Sequence, residues 1–364
     1  IGDSPLAQLH LLIRHDNSKP ITYTLDELEA GLANIIRNWR DVFRDVLINN
    51  FGEEKGIALA NKYLTSFPQS YVESVTPEHS IEDIIQIEKL ENINDLGLNL
   101  YQKNGALRFK LLRLEKEIAL SDALPMLENL GMKVMTENPY VLNVGAQKVV
   151  IQDFAIQPAS ENINFENNEI NFENAFDAVW NGHCESDGFN QLVSLAELSW
   201  RQVSILRDYC KYLIQIGIPF SQTYMEETLQ TYPAIARLLI GLFDARFNPD
   251  LVSSNSELAP TLVRMGVDSA ERYMANFVAT SREDQIGAVN KLLNKQLAKV
   301  ASLDEDRILR YFTSVMTATL RTSYYQSSEL DESLKDYVSY KFNPSLVPDI
   351  PKPVPYREIF VYSP

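Results

Sequence analysis

The chain has 364 residues, with 33 Lys and Arg against 49 Asp and Glu, and a net charge of −16 with His neutral. An apolar fraction of 45% and a charged fraction of 23% belong to a folded globular protein and exclude a disordered, collagenous or low-complexity chain. The acidic excess is spread along the chain and no two Lys or Arg are adjacent, so nucleic acid and anionic membrane surfaces are disfavoured as partners.

Leu6 to Ile13 largely alternates apolar and polar residues and predicts a half-buried strand. Thr24 with Glu27 forms a capping box. Leu25, Leu28, Leu32, Ile35, Trp39, Val42 and Val46 follow at spacings of three and four, which predicts one amphipathic helix over 25–50. Further helices are expected over 53–64 and from Ser80 onward. Strands are expected over 98–101 and 107–114, joined by Asn104-Gly105, a strong hairpin signal. Ser121 caps a helix to Leu130 that Gly131 closes, and strands over 133–142 and 147–156 flank Gly145. With a helix from Phe172 this is most of a ferredoxin-like βαββαβ unit.

From 172 to 342 every segment reads as helical: 172–180, 188–195, 199–216, 221–232, 233–247, 260–279, 281–300 and 302–323. No period of 30–45 residues recurs in the sequence, so a solenoid is not expected. Within 199–216 the buried stripe is Val203, Leu206, Cys210, Leu213 and Ile214. Pro344, Pro348, Pro351, Pro353 and Pro355 predict an extended linker, and 357–362 a strand whose partners would lie outside this chain. The fold class is α+β, with expected divisions at 1–94, 95–171, 172–342 and 343–364. The absence of an initiator Met and of any signal-peptide pattern at Ile1-Gly2-Asp3 reads as a cut inside a longer polypeptide.

Four stretches then resemble one family. They are 120–131 (Leu-Ser-Asp-Ala-Leu-Pro-Met-Leu-Glu-Asn-Leu-Gly), Asp187-Gly-Phe-Asn190 running through Ser199-Trp-Arg201 to Pro219-Phe-Ser-Gln222, and 232–239 with Phe243 to Phe247. The last set is Ser302 to Arg307, Thr319 to Thr322 and Arg357-Glu-Ile-Phe-Val-Tyr-Ser-Pro364. In this order they resemble the large bacterial NAD-specific glutamate dehydrogenases. The resemblance implies a region just upstream of the catalytic domain: the tail of one ACT-like module, a whole ACT-like module over 95–171, and a helical region. It implies that the full enzyme uses NAD to convert glutamate and water to 2-oxoglutarate and ammonium, in the cytoplasm. This portion would be non-catalytic, regulatory or structural, with the missing catalytic domain as its partner. Homo-oligomers and an amino-acid effector are further partners that the resemblance implies. A purely structural oligomerisation scaffold that binds no ligand is the alternative.

The residues themselves offer no catalytic constellation. A dinucleotide needs glycines where backbone meets pyrophosphate, yet no two of the fourteen glycines lie closer than Gly52 and Gly56, so no cofactor is expected in this portion. His10, His15, His79 and His183 are scattered, His183-Cys184 is not a metal-ligand spacing, and no metal is expected. Cys184 and Cys210 fit buried thiols of a reducing compartment. Glu226-Glu227 and Asp304-Glu305-Asp306 read as solvated helix starts. Tyr324-Tyr325 could pack against an absent domain or in ordinary core. If an amino acid binds, the expected place is the helix start after Leu114: Ser121 and Asp122 would orient its ammonium group and Arg113 its carboxylate. The plain alternative is that Ser121 only caps its own helix.

Overall fold

A computed structural model describes residues 38–103, 105–160, 168–250, 257–268, 281–327 and 337–363, with positions 24, 27, 163, 270 and 335. The chain divides into two units, residues 1–81 and 82–364. The strand expected at Leu6–Ile13 lies outside the described residues.

In the first unit the Thr24–Glu27 capping box forms, with each backbone N–H bonded to the other's side chain at 2.7 and 3.2 Å. The helix expected over 25–50 does not run through Asn38. There the backbone is extended, and the side chain accepts from the Arg40 and Asp41 amides, so Asn38 is the N-cap of α1 (Trp39–Phe51). α2 (Glu53–Tyr63) and α3 (Gln69–Ser74) follow. Gly56 lets α2 lie on the α1 backbone, since a Cβ there would come within 2.5 Å of Ile48 Cα. Trp39 stacks on Phe43 at 4.7 Å, Phe67 stacks on Tyr71 at 4.5 Å, and Trp39 Nε1 donates to the Val75 carbonyl at 2.7 Å.

α4 (Ser80–Ile87) leads into a four-stranded antiparallel sheet of β1 (Gly97–Lys103), β2 (Ala106–Leu114), β3 (Met132–Val144) and β4 (Gln147–Pro158), in the order β1-β2-β4-β3. α5 (Leu120–Asn129) and α6 (Glu169–Trp180) complete an ACT-like module. Its chain order is ββαββα: β1 takes, from the beginning, the edge place beside β2 that the final strand of a βαββαβ unit would fill. Phe109 of β2 meets Phe172 and Phe176 of α6 at 5.3 and 5.1 Å. The central strand β4 is buried at six successive positions, Val149 to Phe154, so both faces of this strand are covered.

The helical part contains a short 3-10 turn (Gly188–Asn190), α7 (Gln191–Leu195), α8 (Trp200–Gln215), α9 (Gln222–Thr231), α10 (Pro233–Phe247), α11 (Leu258–Arg264), α12 (Arg282–Leu297) and α13 (Leu303–Ala318). Ser199, Ser221, Ser281 and Ser302 are their N-caps, each accepting a backbone N–H. The helix expected over 260–279 runs as α11 to Arg264, and 271–279 lie outside the described residues.

Two expectations are corrected at the end of the chain. The helix from Ser302 stops at Ala318, and 319–322 form β5 (Thr319–Thr322). β6 (Val338–Phe342) and β7 (Glu358–Tyr362) join it in a second antiparallel sheet, ordered β5-β6-β7. Helical spacing through 323 yielded to tertiary pairing of β-branched and aromatic residues. β7 was expected to find its partners outside the chain, but it pairs with β6, Phe360 opposite Tyr340.

Candidate functional site

Several side chains that bond distant parts of this chain converge where α8 meets the second sheet. Ser199 and Gln202 form a reciprocal capping box that fixes the start of α8. Tyr209 and Tyr212, three residues apart, then share one helix face. Tyr212 stacks on Phe342 at 4.2 Å and meets Phe360 at 5.6 Å, and its hydroxyl donates to Glu358 at 2.8 Å. Tyr209 meets Tyr340 at 5.2 Å, and its hydroxyl lies 2.9 Å from Thr319 Oγ1. All three strands are thereby held by one helix.

Asp208 precedes Tyr209 on α8 and is 1% exposed. Its Oδ2 accepts from the Tyr340 hydroxyl at 2.6 Å, while Oδ1 has no hydrogen-bond partner among the described residues. Burial pushes its carboxyl up to about 7, against the opposing pull of the Tyr340 hydrogen bond and of Arg207. Arg207 instead forks onto Asp187, with Nε and Nη2 each at 2.8 Å, and also donates to Asn190. Asp187 in turn accepts from the Phe189 N–H at 3.1 Å. Glu185, beside it, takes Lys211 at 3.1 Å and the hydroxyl of Tyr362 on β7. Burial raises the Glu185 carboxyl, but those two hydrogen bonds outweigh it and hold the group below its ordinary range.

This loop of 185–190 therefore ties α8 to β7. Chemically the arrangement is an interface: its donors face acceptors, and it presents no activated nucleophile. Burial pushes the Cys184 and Cys210 thiols up to about 11 and 12, which leaves both unreactive. Among the described residues no cluster of His, Cys, Asp and Glu could hold a metal ion, and no helix is long and apolar enough to cross a membrane.

Of the residues expected to form an effector pocket, Arg113 makes no hydrogen bond to Ser121 or Asp122 among the described residues. Arg113 donates to the Ile93 carbonyl at 2.8 Å and lies over the Trp180 ring at 5.1 Å. Ser121 bonds to Asp122 at 3.3 Å, and both are exposed. The N-cap of α5 is Ala119, so Ser121 is the second helical residue and does not cap. Gln152 of β4 secures that connection instead, accepting from the Ile118 N–H at 2.7 Å and donating to the Ile118 carbonyl at 3.0 Å. The link from β2 to α5 contains no Gly.

Two other expectations change, and a third settles on its plainer alternative. Glu227 is solvated, but Glu226 is buried: Gly188 leaves it room, and Gln222 donates to it at 2.7 Å. Tyr324 and Tyr325 belong to the helical core, at 5.4 and 6.1 Å from Phe243, with Tyr325 donating to Asp244. Ile214 turns out of the α8 stripe and is exposed. Sequence reasoning missed Asp208, Arg207 and Gln152. The available signal was the same for each: a polar residue set within a run of positions that are otherwise buried.

Comparison with known proteins places these elements. In chain order, residues 46–90 match glutamate dehydrogenase helical motif 2, 95–170 the glutamate dehydrogenase ACT3 domain, 184–249 helical motif 3, and 292–364 the bacterial NAD-glutamate dehydrogenase catalytic domain. The catalytic-domain match thus begins well before the expected division at 343 and includes α13 and the whole second sheet. Over its full length the chain is 35% identical to the NAD-specific glutamate dehydrogenase of Halomonas elongata, 34% to that of Pseudomonas aeruginosa and 32% to that of Mycobacterium tuberculosis. It covers 21%, 21% and 22% of those proteins, about a fifth of their length. An ACT-like module, two helical motifs and the matched catalytic-domain segment, in family order, establish that the chain belongs to the bacterial NAD-specific glutamate dehydrogenases.

Proposed function

We propose that this chain is the regulatory and structural portion of such an enzyme, and that α8 seats the first sheet of its catalytic domain. The full enzyme would convert L-glutamate, NAD and water to 2-oxoglutarate, ammonium and NADH in the cytoplasm, with NAD bound beyond the residues described here. The observation that carries this reading is the contact of α8, inside helical motif 3, with all three strands inside the catalytic-domain match. A catalytic site depends on the position of its scaffold, and a displacement of about 1 Å can cost on the order of 100-fold in rate.

Tyr212→Ala in the full-length enzyme tests it. Loss of the Phe342 stack is expected to lower the temperature at which glutamate-dependent NADH formation fails by roughly 5 °C or more. An unchanged inactivation temperature and rate would sink the reading.

Assembly as a homo-oligomer belongs to the same proposal. It is favoured by the 13-residue edge strand β3, on which Met135 and Val141 are exposed, and sedimentation of the full-length protein tests it. An effector held by Arg113, Ser121 and Asp122 stays a separate proposal: Arg113 Nη2 donates to the Ile93 carbonyl, while its buried Nε has no hydrogen-bond partner among the described residues.

A further inference from the structure

The two faces of the second sheet are unequal. Tyr340, Phe342 and Phe360 are buried on the α8 side. On the other face the register sets Arg321 opposite Lys341, Lys341 opposite Ile359, and Ser339 opposite Val361. Ile359 is 70% exposed, Val361 57% and Leu320 of β5 41%. Three large apolar side chains held in water on one small sheet mark a surface that something covers. Arg321 and Lys341 are like charges directly opposite one another, a pairing that costs stability. Both are exposed, and neither makes an ion pair among the described residues, although the chain as a whole carries −16.

We propose that this face is the seat of the rest of the catalytic domain, which lays an apolar surface on Leu320, Ile359 and Val361 and sets carboxylates over Arg321 and Lys341. The proposal rests on the reading of α8 as a support, and it adds what the supported sheet does on its other side. Three observations select the occupant. The catalytic-domain match includes β5, β6 and β7, so the face is continuous with that domain. The relatives are far longer than this chain, which spans about a fifth of them. The exposed pair of cations calls for an acidic complement, whereas a second copy using the same face would bring its own Arg321 and Lys341 into the contact.

The experiment uses the full-length protein with two paired changes, Ile359→Lys with Val361→Lys, and Arg321→Glu with Lys341→Glu. Each pair is expected to lower glutamate-dependent NADH formation roughly tenfold or more and to speed amide exchange over Glu358–Tyr362, with α8 amides unchanged. Tyr212→Ala acts on the inner face and loosens α8 together with the sheet. Failure of the α8 reading therefore appears as an unaltered Tyr212→Ala protein, and failure of the present proposal as unaltered outer-face variants. Should the Lys pair prevent folding, the charge reversal, which changes only exposed side chains, carries the test. Unchanged activity and exchange in the charge reversal would overturn the proposal. So would sedimentation in which the outer-face changes dissolve an oligomer while the rate of each subunit stays the same, because the occupant would then be a second copy.

Discussion

The two sheets of this chain differ in how far they are finished. The ACT-like sheet is closed: β4 is buried on both faces, and even its charged groups are internal, with Lys110 Nζ 2.6 Å from Asp83 and both side chains fully buried. Nearby, Asp153 is 1% exposed and takes Arg108 at 2.8 Å and the Tyr101 hydroxyl at 3.0 Å. The second sheet is closed only toward α8. β4 stays buried through Gln152 and Asp153, whereas β7 alternates inward and outward residues, with Phe360 in and Ile359 and Val361 out. The first sheet is covered on both faces along β4; the second, on the proposal above, is one layer of a larger domain.

The sharpest way to break the closed sheet is through its buried charges. Lys110→Met removes the buried cation that bonds Asp83 and is expected to cost about 3–5 kcal/mol. Adding Asp83→Leu should recover most of that loss, since an apolar pair of similar volume replaces a buried ion pair at little cost. Urea midpoints of the two single variants and the double variant check this. A single-variant loss below about 1 kcal/mol would mean that water reaches the pair and the sheet is open.

The open sheet makes the opposite prediction for neighbouring residues. Phe360→Ala removes a buried ring from the α8 contact and should cost about 3 kcal/mol, near the low end for such truncations because it lies on an edge strand. Ile359→Ala, one residue away, should change the stability of this 364-residue chain by less than about 0.5 kcal/mol. Equal losses at the two positions in thermal unfolding would show that both faces are already covered.

The same contrast separates what was legible in the sequence from what was not. Local signals survived almost unchanged: the serine caps of α8, α9, α12 and α13, the turn at Gly105 and the positive φ of Gly131 after α5. Each of these depends on residues within one turn of one another. β5 was misread because its strand character comes from β6, which begins sixteen residues after Thr322, and helical spacing alone cannot see that pairing. The continuous helix over 25–50 was misread because Asn38 has two uses, and periodicity of its neighbours hides the N-cap. For the candidate site, periodicity placed Leu206, Cys210 and Leu213 inside α8. It could not show that Asp208 would meet a tyrosine hydroxyl from 132 residues away.

The α8 contact also predicts a pH dependence. Asp208 has a folded pKa of about 7 against an ordinary 3.8, so between those values the folded state holds a proton that the unfolded chain has released. The stability tied to Asp208 is therefore complete below about pH 4, falls as pH rises, and levels off above about pH 7, with a limiting slope of about 1.4 kcal/mol per unit. Asp244, raised to about 6 by burial, adds a slope of the same sign over the lower part of that window. Arg207, Glu185, Tyr209, Tyr324 and Tyr340 face the Asp208 region, and Arg207 pulls against the rise. Asp208→Asn keeps an acceptor for Tyr340 and removes the titration. Unfolding free energies of the variant should depend less on pH between 5 and 7 than those of the parent, and an unaltered slope would place the titration elsewhere.

The smallest expected effect lies at the start of α5, on the closed sheet. If Ser121 capped that helix, Ser121→Ala would cost about 1 kcal/mol. The cap is Ala119, however, and its carbonyl already accepts the Asp122 and Ala123 amides at 2.9 and 3.1 Å. Gln152 holds the residue before it through both polar groups of Ile118. Among the described residues the Ser121 hydroxyl bonds to the neighbouring Asp122 carboxylate. Its replacement by Ala should therefore change stability by less than about 0.5 kcal/mol, while Gln152→Leu leaves the buried Ile118 N–H without its acceptor and should cost about 1–3 kcal/mol. Repeating both measurements with millimolar amino acids in the buffer extends the test to ligand binding. A module that is complete without a ligand gives the same melting temperature with and without them, since only a ligand bound to the folded state raises it. A rise that Ser121→Ala or Arg113→Ala abolishes would place an effector at this helix start and show that the sheet is less finished than its burial implies.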